Sequence, residues 1–502
     1  MTTCDPAPGA PNTCPLGYHC TPDGKCDALC TPTGNQCGPG NSCTSDGNCV
    51  TGDGGGGCTG LACNITDCDK MGMPRTTISG TVFAPNGKLP LYGVSVYVPN
   101  KDPGPFMAGA QCSKCSDPLP GNPIAQTTTD ENGNFTLQNV PNGANIPLVI
   151  TIGKWRRQIK IASVAACTTQ MMTAADTTLP KSHDDLTPNT TSVDLPQIAI
   201  STGSADTLEC LVRRLGIADK EITTDMGTGK IHLFSDTKAI TNGNGFGASS
   251  FDNGYAGGTG SFSDSQKLWG SSAKLNNYDI VILSCEGDQH PETKPQAAMD
   301  NLKAYADLGG RVFLSHWHNI WLEGSTQHTN LSTAKPSIWA PDATKPGSGI
   351  ASFVNNVDTG TGTVDTIDEA SNPKGMAFAD WMLKVGSTGI KRDQVPIVDG
   401  TGKHTATSII GGKAERWVYW QSGTNQFPQN FQFTTPNEVS GDQRCGKVVF
   451  SDMHVSGNGT SGGSYPSSCG DAPPNPPMML TDQEKALAFM FFDISSCVGA
   501  IL

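Results

Sequence analysis

The sequence predicts a multidomain protein in which a disulfide-rich repeat precedes an all-β sandwich and an α/β domain with a doubly wound, mostly parallel sheet. Eight of the 19 cysteines lie in the first 49 residues. Short strand-like runs separated by turn residues fill the next part of the chain, and apolar runs alternate with helix-like segments after it. The predicted segments are residues 1–57 (repeat and glycine linker), 58–75 (cysteine-containing connector), 76–165 (sandwich), 166–192 (polar linker) and 193–502 (α/β domain).

The N-terminal segment contains a twofold repeat, CDPAPGAPNTCPLGYHCTPDGKC followed by CTPTGNQCGPGNSCTSDGNC. In each copy the last three cysteines are separated by five residues, and the intervening residues are mostly turn formers. Almost no apolar side chain is available for a core, so we expect all eight cysteines to form disulfides within residues 4–49. A zinc cluster is the alternative, but two cysteines spaced as in a zinc knuckle are missing here.

Composition and charge narrow the classes of partner and compartment. The formal net charge is -13 at pH 7, and an acidic surface disfavours nucleic acid and anionic membranes as partners. The cysteine density is typical of secreted proteins, so we expect an extracellular or cell-surface location. The chain opens on MTTCDPAPGA, without a charged and then apolar leader, as expected of a mature secreted start. The most apolar run, ALAFMFFDISSCVGAIL, is interrupted by Asp493 and is too short for a transmembrane segment.

Residues 76–165 carry strand and turn signals throughout, with SGTVFAPNG, YGVSVYV and TTDENGNFTL as the main motifs. These motifs resemble the carboxypeptidase regulatory-like (prealbumin-like) domain, and the resemblance implies a β-sandwich with an accessory role rather than catalysis. An insertion, MAGAQCSKCSDPLPGNP, departs from that pattern and carries Cys112 and Cys115. A Cys-x2-Cys is compatible with a metal knuckle or a redox pair. Disulfides to cysteines at 58–68 or to Cys167 are favoured.

From residue 193 the spacing of apolar residues changes, and apolar strand-like runs alternate with segments that have the spacing of a helix. VDLPQIAIST, NNYDIVILSCEGD, RVFLSHW, ERWVYWQ and GKVVFSD are predicted strands, and SADTLECLVRRLG, ETKPQAAMDNLKAYADLGG, KGMAFADWMLKVG and TDQEKALAFMFFD are predicted helices. Thr481 and Glu484 form the capping box that starts the last helix. One pair among Cys445, Cys469 and Cys497 is expected to join this helix to the sheet, although the pairing is not readable from sequence. Because the total of 19 cysteines is odd, one thiol is left over or pairs between chains.

Polar and ionisable residues follow three of these apolar strands, at the point where each strand ends. They are Cys285 and Glu286 after residues 279–284, Ser315, His316 and His318 after 311–314, and Asp452 and His454 after 447–450. Parallel strands end at the same edge of a sheet, where ligands bind in such folds. We therefore expect these side chains to converge on one cleft.

The motifs YDIVILSCEGD, LGGRVFLSHWH and CGKVVFSDMHVSG, in this order, resemble the type 1 glutamine amidotransferase-like superfamily and, within it, the ThuA-like branch. The resemblance covers roughly residues 193–502 and implies a flavodoxin-like sheet. Ser315 stands where the amidotransferases carry their nucleophilic cysteine, and no Gly-x-Cys-x-Gly is present. Glutaminase chemistry is therefore disfavoured.

A metal site is the first of three interpretations of the strand-end residues. In an extended segment residues i and i+2 face the same way, so His316 and His318 would point together, as would Asp452 and His454. Imidazoles and a carboxylate suit a divalent metal such as Zn²⁺ with an open position for water. This interpretation requires that the chain does not bend sharply after Ser315.

Nucleophilic catalysis is the second interpretation, and a structural network is the third. Ser315 or Cys285 would attack, a nearby histidine such as His316 would act as base, and Glu286 or Asp452 would orient it. In the third interpretation the same residues form a hydrogen-bonded network that closes the top of the sheet and lines a cleft. Cys285 is also the candidate for the odd thiol.

The three parts together predict a secreted or cell-surface bacterial protein with a binding or assembly role. Its expected partner is an extracellular ligand, with carbohydrate and another surface protein as the two classes considered. The alternative is an extracellular hydrolase that uses the strand-end cleft, metal-dependent or nucleophilic, and the sequence does not decide whether the protein is an enzyme. Because the period changes near residue 193, we also expect the α/β domain to fold without the sandwich.

Overall fold

The structure, a computed structural model, describes residues 18–20, 26–28, 41–43 and 49–51 by their backbone, and residues 58, 60–239, 246–336, 338–342, 344–345, 347–354, 363–398, 401–455, 463–470 and 479–499. The predicted disulfides among the eight N-terminal cysteines lie outside the described residues. The chain divides into two compact units. The smaller comprises residues 1–76, 139–144 and 163–168, and the larger comprises residues 77–138, 145–162 and 169–502.

The N-terminal repeat gives two matching antiparallel hairpins. Strand β1 (Tyr18–Cys20) pairs with β2 (Cys26–Ala28), and β3 (Asn41–Cys43) pairs with β4 (Cys49–Thr51). In both copies the last two cysteines lie directly opposite each other in the backbone pairing, Cys20 with Cys26 and Cys43 with Cys49. The connector that follows contains two 3₁₀ helices, Gly60–Asn64 and Asp69–Met71.

The sandwich consists of a five-stranded and a three-stranded sheet, with strand orders β12-β10-β9-β6-β7 and β11-β5-β8. Its elements are β5 (Thr77–Thr81), β6 (Ser95–Pro99), β7 (Pro123–Thr128), β8 (Asn134–Gln138), β9 (Gly143–Ile152), β10 (Trp155–Val164), β11 (Thr169–Met171), α1 (Ala174–Thr177) and β12 (Thr190–Asp194). The segment 166–192, expected to be a linker, thus contributes β11 and the start of β12 to the two sheets. The predicted β-sandwich is confirmed.

The α/β domain contains most of the remaining strands and helices. The strands are β13 (Ile198–Thr202), β14 (Ile222–Thr224), β15 (Ile231–Ser235), β16 (Ser250–Phe251), β17 (Ser263–Asp264), β18 (Ile280–Leu283), β19 (Arg311–Ser315), β20 (Ala351–Phe353), β21 (Val364–Ile367), β22 (Gln394–Pro396), β23 (Ala406–Ile409), β24 (Glu415–Ser422), β25 (Asn425–Thr435), β26 (Gly446–Ser451) and β27 (Ser464–Tyr465). The helices are α2 (Leu208–Arg214), α3 (Gln266–Trp269), α4 (Ser272–Leu275), α5 (Gln296–Asp307), α6 (Ile320–Glu323), α7 (Gly375–Val385) and α8 (Asp482–Ser495). Short 3₁₀ helices cover Asp219–Glu221, Pro291–Thr293, His316–Asn319, Gly441–Gln443 and Ser467–Cys469.

The main sheet is mixed. Strands β14-β15-β13-β18-β19-β26 run parallel to their neighbours, and β25, β24, β21 and β22 extend the same sheet with antiparallel pairs. The chain moves from β13 first to β14 and β15 on one side and then to β18 and β19 on the other, which makes β13 the point where strand order reverses. In open sheets this is where the carboxyl ends leave a crevice.

The core of this domain is apolar and contiguous, as alternation of buried strands and helices requires. Val281, Leu283, Val312 and Leu314 in the central strands are buried together with Trp321 and other side chains of α3, α5 and α6. The last helix, α8, begins with the predicted capping box, because Thr481 and Glu484 cap each other's backbone N–H groups. It packs against β19 and β26. No helix among the described residues is both long and apolar enough to span a membrane.

Five disulfides connect described cysteines, and this number indicates an oxidising, extracellular environment. They are Cys58–Cys63, Cys68–Cys167, Cys112–Cys445, Cys115–Cys497 and Cys210–Cys469. The sandwich insertion is therefore bonded to the α/β domain and not to Cys167 or the connector. No pair forms among the last three described cysteines, because each of them bonds to a cysteine far upstream. Among the cysteines whose side chains the structure describes, Cys285 alone is free, and it is buried.

Candidate functional site

Three residues predicted from strand ends do converge at the carboxyl edge of the sheet. Strands β18, β19 and β26 are parallel neighbours, so the residues that follow them meet on one side. Sγ of Cys285 and one ring nitrogen each of His316 and His454 all lie within 4.8 Å of one another. The Sγ of Cys285 is 3.4 Å from Nδ1 of His316, and the two imidazole ring centroids are 4.9 Å apart. All three side chains are at most 2% exposed, so the expected cleft is closed over them.

The backbone around Cys285 is held against the reversal point of the sheet. Gly203 follows β13, and a Cβ there would lie 2.2 Å from the carbonyl oxygen of Cys285. Only a glycine permits this approach. The carbonyl of Cys285 also accepts a hydrogen bond from the N–H of Ala205 at 2.9 Å. The β13 loop therefore fixes where the thiol sits.

His316 turns the chain sharply at the end of β19. Its φ is 44°, in the left-handed region that a histidine seldom adopts, and a 3₁₀ helix follows over His316–Asn319. The Trp317 ring lies against it, with 4.5 Å between ring centroids. Such strain persists only where surrounding packing imposes it and is common at functional sites. The turn brings the imidazole of His316 to the thiol.

The same turn separates His318 from His316, so the expectation that the two point together is wrong. That expectation needed an extended segment, and the segment is helical. Nε2 of His318 donates to the carbonyl of Ser284 at 2.9 Å, and its Nδ1 accepts the indole N–H of Trp321 at 2.9 Å. With both nitrogens engaged, His318 has no lone pair left for a metal.

Asp452 also points away from the cluster. Its carboxylate accepts from the N–H and hydroxyl of Thr405, both at 2.7 Å, and from the N–H of Ala406 at 2.8 Å. Asp452 therefore fastens the segment that precedes β23. His454 follows two residues later, and its own N–H donates to the carbonyl of Thr401 at 3.0 Å.

The nucleophile candidates lack the partners that catalysis by a triad requires. Ser315 donates its hydroxyl to Asp206 at 2.7 Å, and no imidazole is among its hydrogen-bond partners in the described chain. Burial raises the pKa of the Cys285 thiol well above its ordinary value. Burial lowers the pKa of His454 to about 3, with the Lys403 charge acting in the same direction. Burial, then the charges of His454 and Lys403, hold the pKa of His316 well below its usual range. A neutral thiol beside neutral imidazoles is not an activated thiolate.

Glu286 belongs to a second, separate buried cluster. Lys294 donates to it at 2.7 Å and lies 3.7 Å from Asp236, which accepts the hydroxyl of Thr293 at 2.5 Å. Burial raises the pKa of Glu286 to about 8, against the lowering effect of Lys294. Asp236, Lys294 and Asp206 were not among the residues predicted from the sequence. Asp236 directly follows the apolar strand IHLFS, so the strand-end criterion applied to β15 would have found it.

Comparison with known proteins gives little further guidance. No protein-family model matches the chain, and no curated protein matches it. Among solved structures, a putative ThuA-like protein from Bacteroides uniformis matches 59% of this chain and 88% of its own at 13% identity, with a TM-score of 0.26. Two interface mutants of a type II cohesin-X-dockerin complex from Acetivibrio cellulolyticus each match 30% of this chain and 75% of theirs at 19% identity, with TM-scores of 0.14. At such TM-scores neither likeness supports a conclusion about fold or function.

Proposed function

We propose that the chain is a secreted or cell-surface modular protein with a binding role, and that its ligand is an acidic carbohydrate. The supporting observation is a groove of about 840 Å³ between the sandwich and the α/β domain, a size within the range of ligand sites, roughly 300–1,000 Å³. Its described lining includes five cationic side chains and no acidic one. The cationic residues are Lys88, Arg213, Arg214, Lys384 and Lys485.

The surplus positive charge in the groove comes from two lysines. Arg213 pairs with Asp219 at 2.8 Å, and Arg214 pairs with Glu484. Lys88 and Lys384 are exposed, and no ion pair joins either of them to another described residue. A local positive surface on a chain with a net charge of -13 attracts an anionic ligand to one place.

The remaining lining suits a sugar. Asn132 and Asn134 bring side-chain amides, which hydrogen-bond to hydroxyl and carboxylate groups, and Phe83 and Leu89 bring apolar surface. Sugar rings have an apolar face and a hydroxylated edge, so the groove offers both types of contact. The carboxylates of an acidic polysaccharide would pair with the charged side chains of Lys88 and Lys384.

A charge-reversal experiment tests this function. We expect the full-length chain to bind polygalacturonate in titration calorimetry, with an affinity that falls as salt is added. Lys88→Glu with Lys384→Glu should weaken binding at least about tenfold, because two attractive charges become repulsive. The matched control is Lys101→Glu with Lys391→Glu, which changes the net charge equally at exposed lysines outside the described groove lining. Equal loss in both double variants, or equally tight binding of an uncharged glucan, would refute the proposal.

Extracellular hydrolysis is the second candidate function, and the observation that favours it is the convergence of Cys285, His316 and His454. Its metal-dependent form needs a divalent ion such as Zn²⁺ at the strand ends, whereas the nucleophilic form through Ser315 or Cys285 has the weaker support. If the protein is a hydrolase, His316→Ala abolishes turnover and leaves polygalacturonate binding unchanged. If it only binds, the same variant has no activity to lose.

We also propose the finer classification of the parts. The sandwich is of the carboxypeptidase regulatory-like type, and residues 193–502 are a flavodoxin-like domain of the ThuA-like kind. The sequence motifs quoted above support both assignments, and composition supports the boundaries at residues 57 and 75.

A further inference from the structure

We infer that Cys285, His316 and His454 together bind a single transition-metal ion of borderline or soft character. This inference is independent of the groove and of the proposed ligand. It rests on three donor atoms from three neighbouring parallel strands, which no continuous sequence motif brings together. The ligand set also differs from the one that the sequence suggested, because Cys285 replaces His318 and Asp452.

The spacing of the donors fits one ion. A tetrahedral ion with a metal–sulfur distance of about 2.3 Å and a metal–nitrogen distance of about 2.0 Å holds sulfur and nitrogen roughly 3.5 Å apart. The Sγ of Cys285 and Nδ1 of His316 are 3.4 Å apart, and no two of the three donor atoms are more than 4.8 Å apart.

The donor types select the class of metal. Thiolate and imidazole bind zinc and copper, whereas calcium and magnesium require oxygen ligands. Asp452 is not among the groups whose ligand atoms lie within 4.8 Å of one another, and its carboxylate instead accepts hydrogen bonds from Thr405 and Ala406. Three protein ligands with a fourth position left over is the composition of catalytic zinc sites, and two histidines with one cysteine is the trigonal set of electron-transfer copper sites.

The surroundings of the donors also indicate a ligand. Nε2 of His454 is buried, and no described group hydrogen-bonds to it. Buried polar atoms without partners are rare in proteins and are commonly satisfied by an ion or water. The backbone N–H of Gly287 points at the Sγ of Cys285 from 3.5 Å, an arrangement that stabilises a metal-bound thiolate from outside the ligand set. Among cysteines with described side chains, the other ten form disulfides. Cys285 has thus been kept as a thiol in an oxidising environment.

Metal titration of the intact, disulfide-bonded chain tests the inference. We expect about one equivalent of Zn²⁺ by elemental analysis after dialysis, and, with Co²⁺ in its place, a thiolate-to-cobalt charge-transfer band that a site without sulfur cannot give. A second titration with Cu²⁺ distinguishes copper from zinc binding, because a copper–thiolate site absorbs strongly in the visible range and a zinc site does not. Cu²⁺ binds most nitrogen and sulfur sites more tightly than Zn²⁺ does, so the ion that the protein contains as purified, and not the relative affinity, identifies the physiological metal.

Variants then assign the ligands. Cys285→Ser and His454→Ala should each lower the affinity for Zn²⁺ by about tenfold or more, and Cys285→Ser should remove the charge-transfer band. The control is His328→Ala, a partly exposed histidine that contacts Asp288 and should leave metal binding unchanged. The cobalt spectrum of the unaltered chain decides the question even if a ligand variant fails to fold. Less than about 0.2 equivalents of metal, or a cobalt spectrum without the thiolate band, overturns the inference.

Discussion

Glu209 is a buried carboxyl group that has no ion partner among the described residues. It lies in the first turn of α2 and is fully buried, and no described group hydrogen-bonds to either of its carboxylate oxygens. Burial raises its pKa to about 8 from an ordinary 4.5, and the nearby Asp206 charge acts in the same direction. The folded protein therefore holds this proton at neutral pH, whereas the unfolded chain releases it.

This proton uptake predicts a pH-dependent stability. Below about pH 4.5 the carboxyl is neutral in both states, and as the pH rises the unfolded state ionises first. The free energy of unfolding should then fall until the pH reaches about 8 and level off above it. The free energy of unfolding of Glu209→Gln, whose side chain cannot ionise, should fall less between about pH 5 and about pH 8 than that of the unaltered protein, by on the order of 3–4 kcal/mol.

Urea denaturation of the two proteins at several pH values measures this difference. Glu131→Gln is the control, because it makes the same change of side chain at a partly exposed position in the Asp130–Gly133 turn of the sandwich. Parallel stability curves for the unaltered protein and Glu209→Gln would mean that Glu209 finds a compensating charge in solution.

At the residue scale, sequence reasoning located the donors but not their directions. Cys285, His316 and His454 were predictable because parallel strands share a carboxyl edge, and this depends only on strand order. The turn at His316 was not predictable, because its φ of 44° is imposed by packing, and that turn decides that His318 points elsewhere. Asp206 escaped notice because it reaches Ser315 from a loop 109 residues away.

At the scale of elements, one carboxylate contributes three of the hydrogen bonds that hold the segment before β23. Asp452 accepts three hydrogen bonds from Thr405 and Ala406, and the same stretch places Thr401 against the backbone of His454. A single buried side chain thus aligns a loop with the strand end that carries a candidate ligand. The role of Asp452 is positional, and this distinguishes it from the metal ligand that the sequence suggested.

Asp452→Asn separates the two roles. The amide keeps the shape but replaces one acceptor oxygen by a donor that faces other donors, so we expect a loss of about 2–3 kcal/mol in the free energy of unfolding. Metal stoichiometry should stay near one. Chemical denaturation and elemental analysis of the same sample measure both, with the exposed Asp442→Asn as control. Loss of the metal at unchanged stability would make Asp452 a ligand after all.

Helices and strands were easiest to predict where the residues that determine them lie close together in the sequence. The capping box of α8 depends on two residues three apart, and it forms as predicted. Strands β11 and β12 lie in the segment taken for a linker, because each has only a few residues and pairs with a distant strand, β5 and β10 respectively. A strand of three to five residues is too short for an alternation of apolar and polar residues to be recognised, and its distant partner gives no local signal.

At the scale of the whole molecule, the sandwich and the α/β domain are tied together covalently. Cys112–Cys445 and Cys115–Cys497 close loops of 333 and 382 residues. The indole N–H of Trp381 also donates to the carbonyl of Pro90 at 2.8 Å. We still expect residues 193–502 to fold without the sandwich. Removal of the sandwich takes away Cys112 and Cys115 and leaves Cys445 and Cys497 unpaired, so a test of this expectation has to replace those two cysteines as well.

Removing the two links should cost stability because long loops gain the most from closure. Replacing Cys112, Cys115, Cys445 and Cys497 by serine should lower the free energy of unfolding by about 5 kcal/mol, against about 2 kcal/mol or less for replacing Cys58 and Cys63, whose bond closes a five-residue separation. Calorimetry gives the two melting temperatures. Similar losses for both variants would show that the long links hold parts already fixed by packing.

The two long-range disulfides also determine how late in synthesis the covalent structure can be completed. During export Cys112 and Cys115 leave the ribosome more than 330 residues before their partners, so for most of synthesis they are exposed thiols next to the cysteine-dense N-terminal segment. Secretion machinery with a disulfide isomerase can hold or correct such pairs, whereas a reducing cytosol cannot form them. A chain that terminates before residue 497 keeps an unpaired Cys115 on its surface. Only a chain translated through residue 497 can form both bonds, so the covalent joining of the sandwich insertion to the α/β domain is complete only once that residue has been made.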